Sequence, residues 1–171
     1  DGDGDILGRF SAIENDTGRT LAFAMNAGMY HEDRDPVGHY IEDGVQESRV
    51  ISSDGPGNFG LLPNGIFCIA DTLQAFETFD YLDRQPDCTY AVQSGPMLVI
   101  DGALHPRFLA DGTSKFIRNG VGTSSDGTRA AFAISNDAVN FHDFGALFRD
   151  HLALPNALYF DGKVSRLYAP A

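Results

Sequence analysis

The chain has 171 residues, 43% hydrophobic and 11% aromatic, a composition that excludes a disordered tail, a collagen-like repeat and a disulfide-knotted miniprotein. Its 24 acidic against 12 basic residues leave a net charge of −12, the wrong sign for a nucleic-acid or anionic-membrane binder, which neutralises phosphates with surplus Lys and Arg. No apolar run approaches the ~20 residues of a membrane helix, and one domain is the economical reading for this length.

Eight of the 19 glycines follow an aspartate. Glycine accepts positive φ and Asp or Asn tolerates the left-handed region, so these pairs, with Asn64-Gly65 and Asn119-Gly120, mark tight turns. The chain opens on Asp1-Gly2-Asp3 without an initiator Met, as a fragment or processed form would; residues 1–20 read as an N-terminal segment and 21–171 as the domain. Short runs rich in Val, Ile, Phe and Tyr predict strands over Leu21–Met25, Val37–Glu42, Gln46–Ile51, Gly65–Ala70, Thr89–Gln93, Met97–Ile100, Arg129–Ser135, Ala157–Phe160 and Val164–Tyr168. Asp43-Gly44, Asp101-Gly102 and Asp161-Gly162 each lie between two such runs, as hairpin turns do. Leu73, Phe76, Phe79 and Leu82 fall in helical register, which predicts a helix over Leu73–Leu82, although these aromatics also suit strands. Phe141, Phe144, Phe148 and Leu152 form one apolar stripe and predict a helix over Phe141–Leu152, capped by Asn140, with Asp143 in its first turn and Pro155 beyond its end. Many strands and few helices make an α+β domain.

Gly55-Pro56-Gly57-Asn58-Phe59-Gly60 matches G-x-G-x-x-G, but Leu61-Leu62-Pro63 bars the helix that a dinucleotide loop must open. A rigid lining loop is the better reading. Asp1-x-Asp3-x-Asp5 lacks the later Gly and Glu of a calcium loop and reads as a solvated acidic end. Asn15-Asp16-Thr17 is a glycosylation sequon, relevant only to a secreted eukaryotic chain. Cys68 and Cys88 are either a disulfide or two buried thiols, according to compartment. One polar group recurs at strand ends beside glycine. Asn26 interrupts Met25-Asn26-Ala27-Gly28-Met29-Tyr30, Asn64 precedes Gly65, Ser94 precedes Gly95-Pro96, Arg118 opens Arg118-Asn119-Gly120-Val121-Gly122, and Asp161 ends Ala157-Leu158-Tyr159-Phe160. Such positions let a ligand approach backbone, so the pattern predicts a site built from strand ends and Gly-rich loops. His31-Glu32-Asp33-Arg34-Asp35 adds a charged loop directly after the first of these segments.

Five segments, taken in order, resemble the phosphodiester glycosidase family: Met25–Tyr30, Leu62–Phe67, Gln93–Val99, Arg118–Gly122 and Asn156–Gly162. The resemblance runs from about Leu21 to Tyr168, with the Asn26–Asp35 loop and the Asn140–Asp150 segment most like the bacterial, exopolysaccharide-associated branch. It implies a mixed β-sheet, hydrolysis of a sugar-1-phosphodiester, and export to the periplasm, envelope or exterior. It also implies that an N-terminal strand is missing. In one member of that family the last motif ends Asp-Gly-Gly-Gly-Ser, whereas this chain reads Asp161-Gly162-Lys163-Val164-Ser165, with Lys163 and Ser165 where backbone N–H groups would hold phosphate.

Cleavage of a glycosyl–phosphate bond puts positive charge on the sugar and negative charge on a good leaving group, so a stabilising carboxylate matters more than a strong acid. Asp161 is the candidate for that role, Arg118 for a bidentate phosphate contact, and His31 for acid or base, oriented by Asp35 or Glu32. Asn26, Asn64 and Ser94, with Gly28, Gly95, Gly122 and Gly162, are expected to contact sugar or phosphate. No spacing demands a metal or other cofactor. Two alternatives stand beside the hydrolase: a non-catalytic glycan-binding or envelope-assembly protein, and a metal-dependent phosphodiesterase using Asp161, His31 and Asp35 around a divalent ion. The expected partner is a sugar-1-phosphodiester or glycan, not a nucleic acid.

Overall fold

The computed structural model describes residues 10, 12–33, 35–162 and 164–170. The acidic start Asp1-x-Asp3-x-Asp5 and Lys163 lie outside the described residues.

Among the described residues the strands are β1 (Ala24–Met25), β2 (Tyr40–Glu42), β3 (Val45–Ser48), β4 (Gly65–Ile69), β5 (Leu73–Glu77), β6 (Tyr90–Ser94), β7 (Met97–Ile100), β8 (Ala103–Leu104), β9 (Asn119–Thr123), β10 (Ala130–Ile134), β11 (Asn156–Asp161) and β12 (Leu167–Tyr168); helix α1 (Thr78–Arg84) falls between β5 and β6, and helix α2 (Phe141–Ala146) between β10 and β11. The residues before Asn26 and after Ser165 form a small unit of their own. In it, residues 12–17 are helical, a turn the sequence did not announce. β1 pairs with β12, and Phe10 stacks on Tyr168 at 4.7 Å.

Asn26–Ser165 is the larger unit. It holds two five-stranded sheets, ordered β3-β2-β6-β4-β5 and β10-β9-β11-β7-β8. The α+β expectation holds, but the pairs are antiparallel throughout where a mixed sheet was implied. Period-two alternation sorts the strand side chains into layers. In β4, Phe67 faces a central core with Ala75, Met97, Val121, Leu158 and Phe160, which joins the two sheets. Its neighbours Ile66 and Cys68 face outward onto Phe76 and Tyr81. In β11, Leu158 and Phe160 point to the central core, while Ala157 and Tyr159 point to Phe144 of α2 and to Phe148 just beyond its end. A disulfide joins Cys68 to Cys88 and closes the loop that holds β5 and α1, resolving the alternative left open by the sequence.

Two Asp-Gly hairpins form as expected. Asp43 and Gly44 take φ of 50° and 76°, Asp101 and Gly102 take 46° and 80°, the pair of positive angles that a two-residue hairpin turn requires. Asp161-Gly162 is not a third: β11 pairs with β7 and β9, and β12 with β1. The expected helix over Leu73–Leu82 splits. Residues 73–77 are strand β5 against β4, and only then does α1 begin, capped by the Glu77 carboxylate on the Phe79 and Asp80 N–H groups. Phe79 and Leu82 are exposed, so their helical register with Phe76 carries no burial. The Phe141–Leu152 helix is real but changes pitch, running as α2 and then a π turn over Leu147–His151. Asn140 caps it, accepting the Asp143 N–H at 2.7 Å.

Candidate active site

Asn119-Gly120, expected to mark a tight turn, instead opens the buried strand β9, which also holds Gly122. A Cβ at Gly122 would lie 2.5 Å from Phe148, and one at Gly120 2.5 Å from the Leu158 carbonyl oxygen. Gly122 is therefore a packing position under the π turn, not a ligand contact. Strand β9 sets Asn119 opposite Asp161 at the end of β11, where the register slips between Tyr159 and Asp161.

Asn119 is fully buried and organises this end. Its Nδ2 donates to the Asn26 carbonyl at 2.9 Å and to Asn26 Oδ1 at 3.1 Å, and its Oδ1 accepts the Asp161 N–H at 2.6 Å. Asn26 Nδ2 in turn donates to Asp161 Oδ2 at 3.4 Å, and the Gly162 N–H donates to Oδ1 at 2.6 Å. The Asp161 carbonyl accepts Ser165 Oγ, and Ser94 Oγ donates to the Phe160 carbonyl one residue earlier. The Asp161 carboxyl is half-buried. Burial pushes its pKa above the usual carboxylate value, while the Gly162 N–H and the Asn26 amide pull it back.

Asp161 opens onto a cleft of about 270 Å³ lined by Met29, Asn58, Phe116, Tyr159 and Gly162. A Cβ at Gly162 would stand 2.7 Å from the hydroxyl of the buried Tyr159, so only glycine packs against it without a shift. Burial raises the Tyr159 pKa, with nearby Arg118 opposing, so the phenol stays protonated and can donate at neutral pH.

Of the residues expected at the site, Asn26, Asp161 and Gly162 meet here, with Ser94 behind them. Asn64 acts at one remove. Fully buried, it donates to the Phe59 carbonyl at 3.1 Å and accepts Thr78 Oγ1 at 2.6 Å, which ties the Gly55–Gly60 loop to α1. That loop reaches the cleft through Asn58. Gly95 lies against Asn64, whose Cβ would be 2.7 Å from an added Cβ. Gly28 backs onto Val92 and the Gln93 carbonyl, and lines a different trough.

Arg118 corrects the expectation of an exposed phosphate fork. It is 1% exposed; its Nε donates to the Val139 carbonyl at 2.8 Å and its Nη2 to the Ser114 carbonyl at 3.0 Å. The guanidinium lies 3.5 Å over the Phe141 ring, with Phe116 and Tyr159 at 5.6 and 5.5 Å. Only Nη1 is left without a hydrogen bond. A bidentate grip on a ligand is therefore unavailable, and desolvation lowers the Arg118 pKa. What Arg118 supplies is a fixed positive charge behind the two aromatic walls of the cleft. His31 is exposed on its loop and does not line the cleft, and Asp35 lines the other trough. Among the described residues no three His, Cys, Asp or Glu side chains gather as metal ligands, Asp161, His31 and Asp35 included.

Sequence reasoning passed over Asn119, Tyr159 and Asn58. Tyr159 shares strand parity with Asp161, and Asn119 is a carboxamide inside a buried apolar strand. Both signals were present.

A model of the phosphodiester glycosidase family matches residues 19–169. The uncharacterized protein YigE of Escherichia coli (strain K12) is 38% identical over 148 residues, covering 86% of this chain and 58% of YigE. The catalytic domain of zebrafish N-acetylglucosamine-1-phosphodiester α-N-acetylglucosaminidase, auto-inhibited by its pro-peptide, matches with a TM-score of 0.60 at 17% identity, covering 90% of this chain and 55% of that one. A hypothetical protein from Synechocystis matches at 0.58 and 12%, covering 94% of this chain and 49% of that one. Both structural matches speak for the fold alone. The chain spans little more than half the length of YigE and of the zebrafish domain.

Proposed function

This chain belongs to the phosphodiester glycosidase family, and from that membership we propose that it hydrolyses the bond between a sugar's anomeric carbon and the oxygen of a phosphodiester. The observation that carries the reading is Asp161, held half-buried at the cleft by Asn26, Asn119 and the Gly162 N–H. The anomeric C–O bond breaks and its electron pair leaves with the phosphate. The Asp161 carboxylate stabilises the positive charge that develops on the sugar. A water oxygen then bonds to the anomeric carbon and releases a proton. The Tyr159 hydroxyl and Asn58 donate to the phosphate oxygens, and Arg118 adds a charge that burial leaves poorly screened. His31 has no part in this scheme, and the scheme uses no metal.

We place the protein in an oxidising compartment outside the cytoplasm. The Cys68–Cys88 disulfide supports this, since such bonds persist there and are rare in reducing cytosol. Envelope or exopolysaccharide glycans linked through sugar-1-phosphates are the substrates such a location offers. Among the described residues no helix is long and apolar enough to cross a membrane.

The test is product analysis on a panel of sugar-1-phosphodiesters. Free sugar and a phosphomonoester are expected from the wild type, and neither from Asp161→Asn. Normal turnover by a folded Asp161→Asn protein overturns the assignment. Tight glycan binding without any wild-type turnover favours a binding module instead.

A further inference from the structure

A second concavity, about 510 Å³, lies in the Asn26–Ser165 unit, walled by the segment carrying Ala27, Gly28, Met29, Tyr30, Asp35 and Pro36 and floored by strands β2, β4 and β6. That volume falls within the ~300–1,000 Å³ of small-ligand sites. Its chemistry differs from that of the Asp161 cleft. Tyr30 and Tyr90 line it while 52% and 42% exposed, so their rings are open to a ligand in the trough. Tyr40 completes a set of three phenols. The Tyr90 hydroxyl donates to Asp43, which holds its ring in place. Two carboxylates, Asp35 and Glu47, reach the trough, and no described residue lining it is basic. The negative field is felt within it: beyond burial, the charges of Glu42, Glu47 and Asp43 all raise the Tyr40 pKa.

We propose that this trough is a glycan-binding groove selective for an amino sugar that carries a free ammonium. Tyrosine faces accept the apolar face of a pyranose and also attract cations. Asp35 and Glu47 pair with the ammonium, and the same carboxylates repel uronates and sugar phosphates. Met29 lines both this trough and the Asp161 cleft. On the hydrolase reading, this adjacency lets the groove take the sugar units beyond the scissile bond, an extension of the binding proposal. That extension rests on the hydrolase reading; the binding itself does not.

The test is calorimetric titration with three probes: a glucosamine trimer in mildly acidic buffer that keeps its amines protonated, the N-acetylglucosamine trimer, and a galacturonate trimer. The glucosamine trimer is expected to bind about tenfold more tightly than its acetylated counterpart, the worth of one modest ion pair, and to weaken as salt rises. The galacturonate trimer is expected to bind worst. Tyr30→Ala, on an exposed segment, should weaken the glucosamine trimer about five- to tenfold. Asp35→Asn combined with Glu47→Gln should erase the preference for the amine. Asp161→Asn should leave this binding intact while removing turnover, which separates failure of the groove from failure of the hydrolase. Absent saturable binding of the glucosamine trimer, equal binding of the galacturonate trimer, or an unchanged preference in the double variant would each overturn the proposal.

Discussion

Asn119→Ala probes the device that holds Asp161. The substitution removes three hydrogen bonds at once: two donated by Nδ2 to the carbonyl and side chain of Asn26, and one accepted by Oδ1 from the Asp161 N–H. At about 1 kcal/mol net for each, the loss is about 3 kcal/mol. The buried surroundings of Asn119 offer little water to replace the bonds, and the total is a large share of the ~5–15 kcal/mol that holds a domain together. For a chain of this length it corresponds to a fall in Tm of about 9 °C. Turnover should fall further than stability does. With the β9 side of the clamp gone, the Asp161 carboxylate is positioned only by Asn26 and Gly162, and a displacement of about 1 Å costs roughly 100-fold in rate. The chain has no Trp, so urea unfolding is followed by far-UV circular dichroism, with turnover measured in buffer where the variant is fully folded. Asn119→Asp serves as a comparator. It keeps an acceptor for the Asp161 N–H, loses both donors, and sets a second carboxyl beside the first, so it should cost at least as much activity. A loss below about 1 kcal/mol together with wild-type turnover would refute the clamp, because buried bonds of this kind are not removed so cheaply.

Reduction of the Cys68–Cys88 bond, or Cys68→Ala, should cost about 3 kcal/mol by the loop-entropy relation for a separation of 20 residues, read as a lower urea midpoint; an unchanged midpoint would show that the bond closes nothing the fold needs. His39 is buried, its Nδ1–H donating to the Ser48 carbonyl and its Nε2 accepting the Tyr81 hydroxyl, and burial lowers its pKa below 6.5. The unfolded chain then binds the proton more readily, so stability should fall as pH drops below about 6.5, by at most ~1.4 kcal/mol per pH unit for one group. His39→Gln should flatten that slope, and an equally steep slope in the variant would assign it elsewhere. Arg118→Lys should lower stability by about 2 kcal/mol, since an ammonium cannot serve the Val139 and Ser114 carbonyls while lying flat on Phe141; a raised KM with unaltered stability would restore Arg118 as a direct phosphate ligand.

Strand alternation and turn chemistry were legible because both are local. Asp43-Gly44 and Asp101-Gly102 need only their own φ angles to close a hairpin. The Leu73–Leu82 segment was misread because four apolar residues satisfied a helical period that only tertiary burial could confirm. Pairing with β4 claims Leu73 to Glu77 before a helix can begin, and Phe79 and Leu82 are left in solvent. Arg118 shows the same limit at the site. A guanidinium next to glycines looks like a ligand for an anion, and nothing within a few residues foretells that Val139 and Ser114 will take its donors or that Phe141 will lie beneath it. Asp161 was legible for the opposite reason. A carboxylate ending a buried apolar strand must find donors or face a ligand, and here it does both: its backbone N–H goes to Asn119, one oxygen takes the Gly162 N–H, the other takes the Asn26 amide, and the carboxyl still borders the cleft. Two carboxamides from distant parts of the sequence, Asn26 and Asn119, together with the adjacent Gly162 N–H therefore fix one acid. For that reason Asp161→Asn, which keeps the shape of the acid, tests its charge, whereas Asn119→Ala, which keeps the charge, tests its placement and carries a folding cost with it.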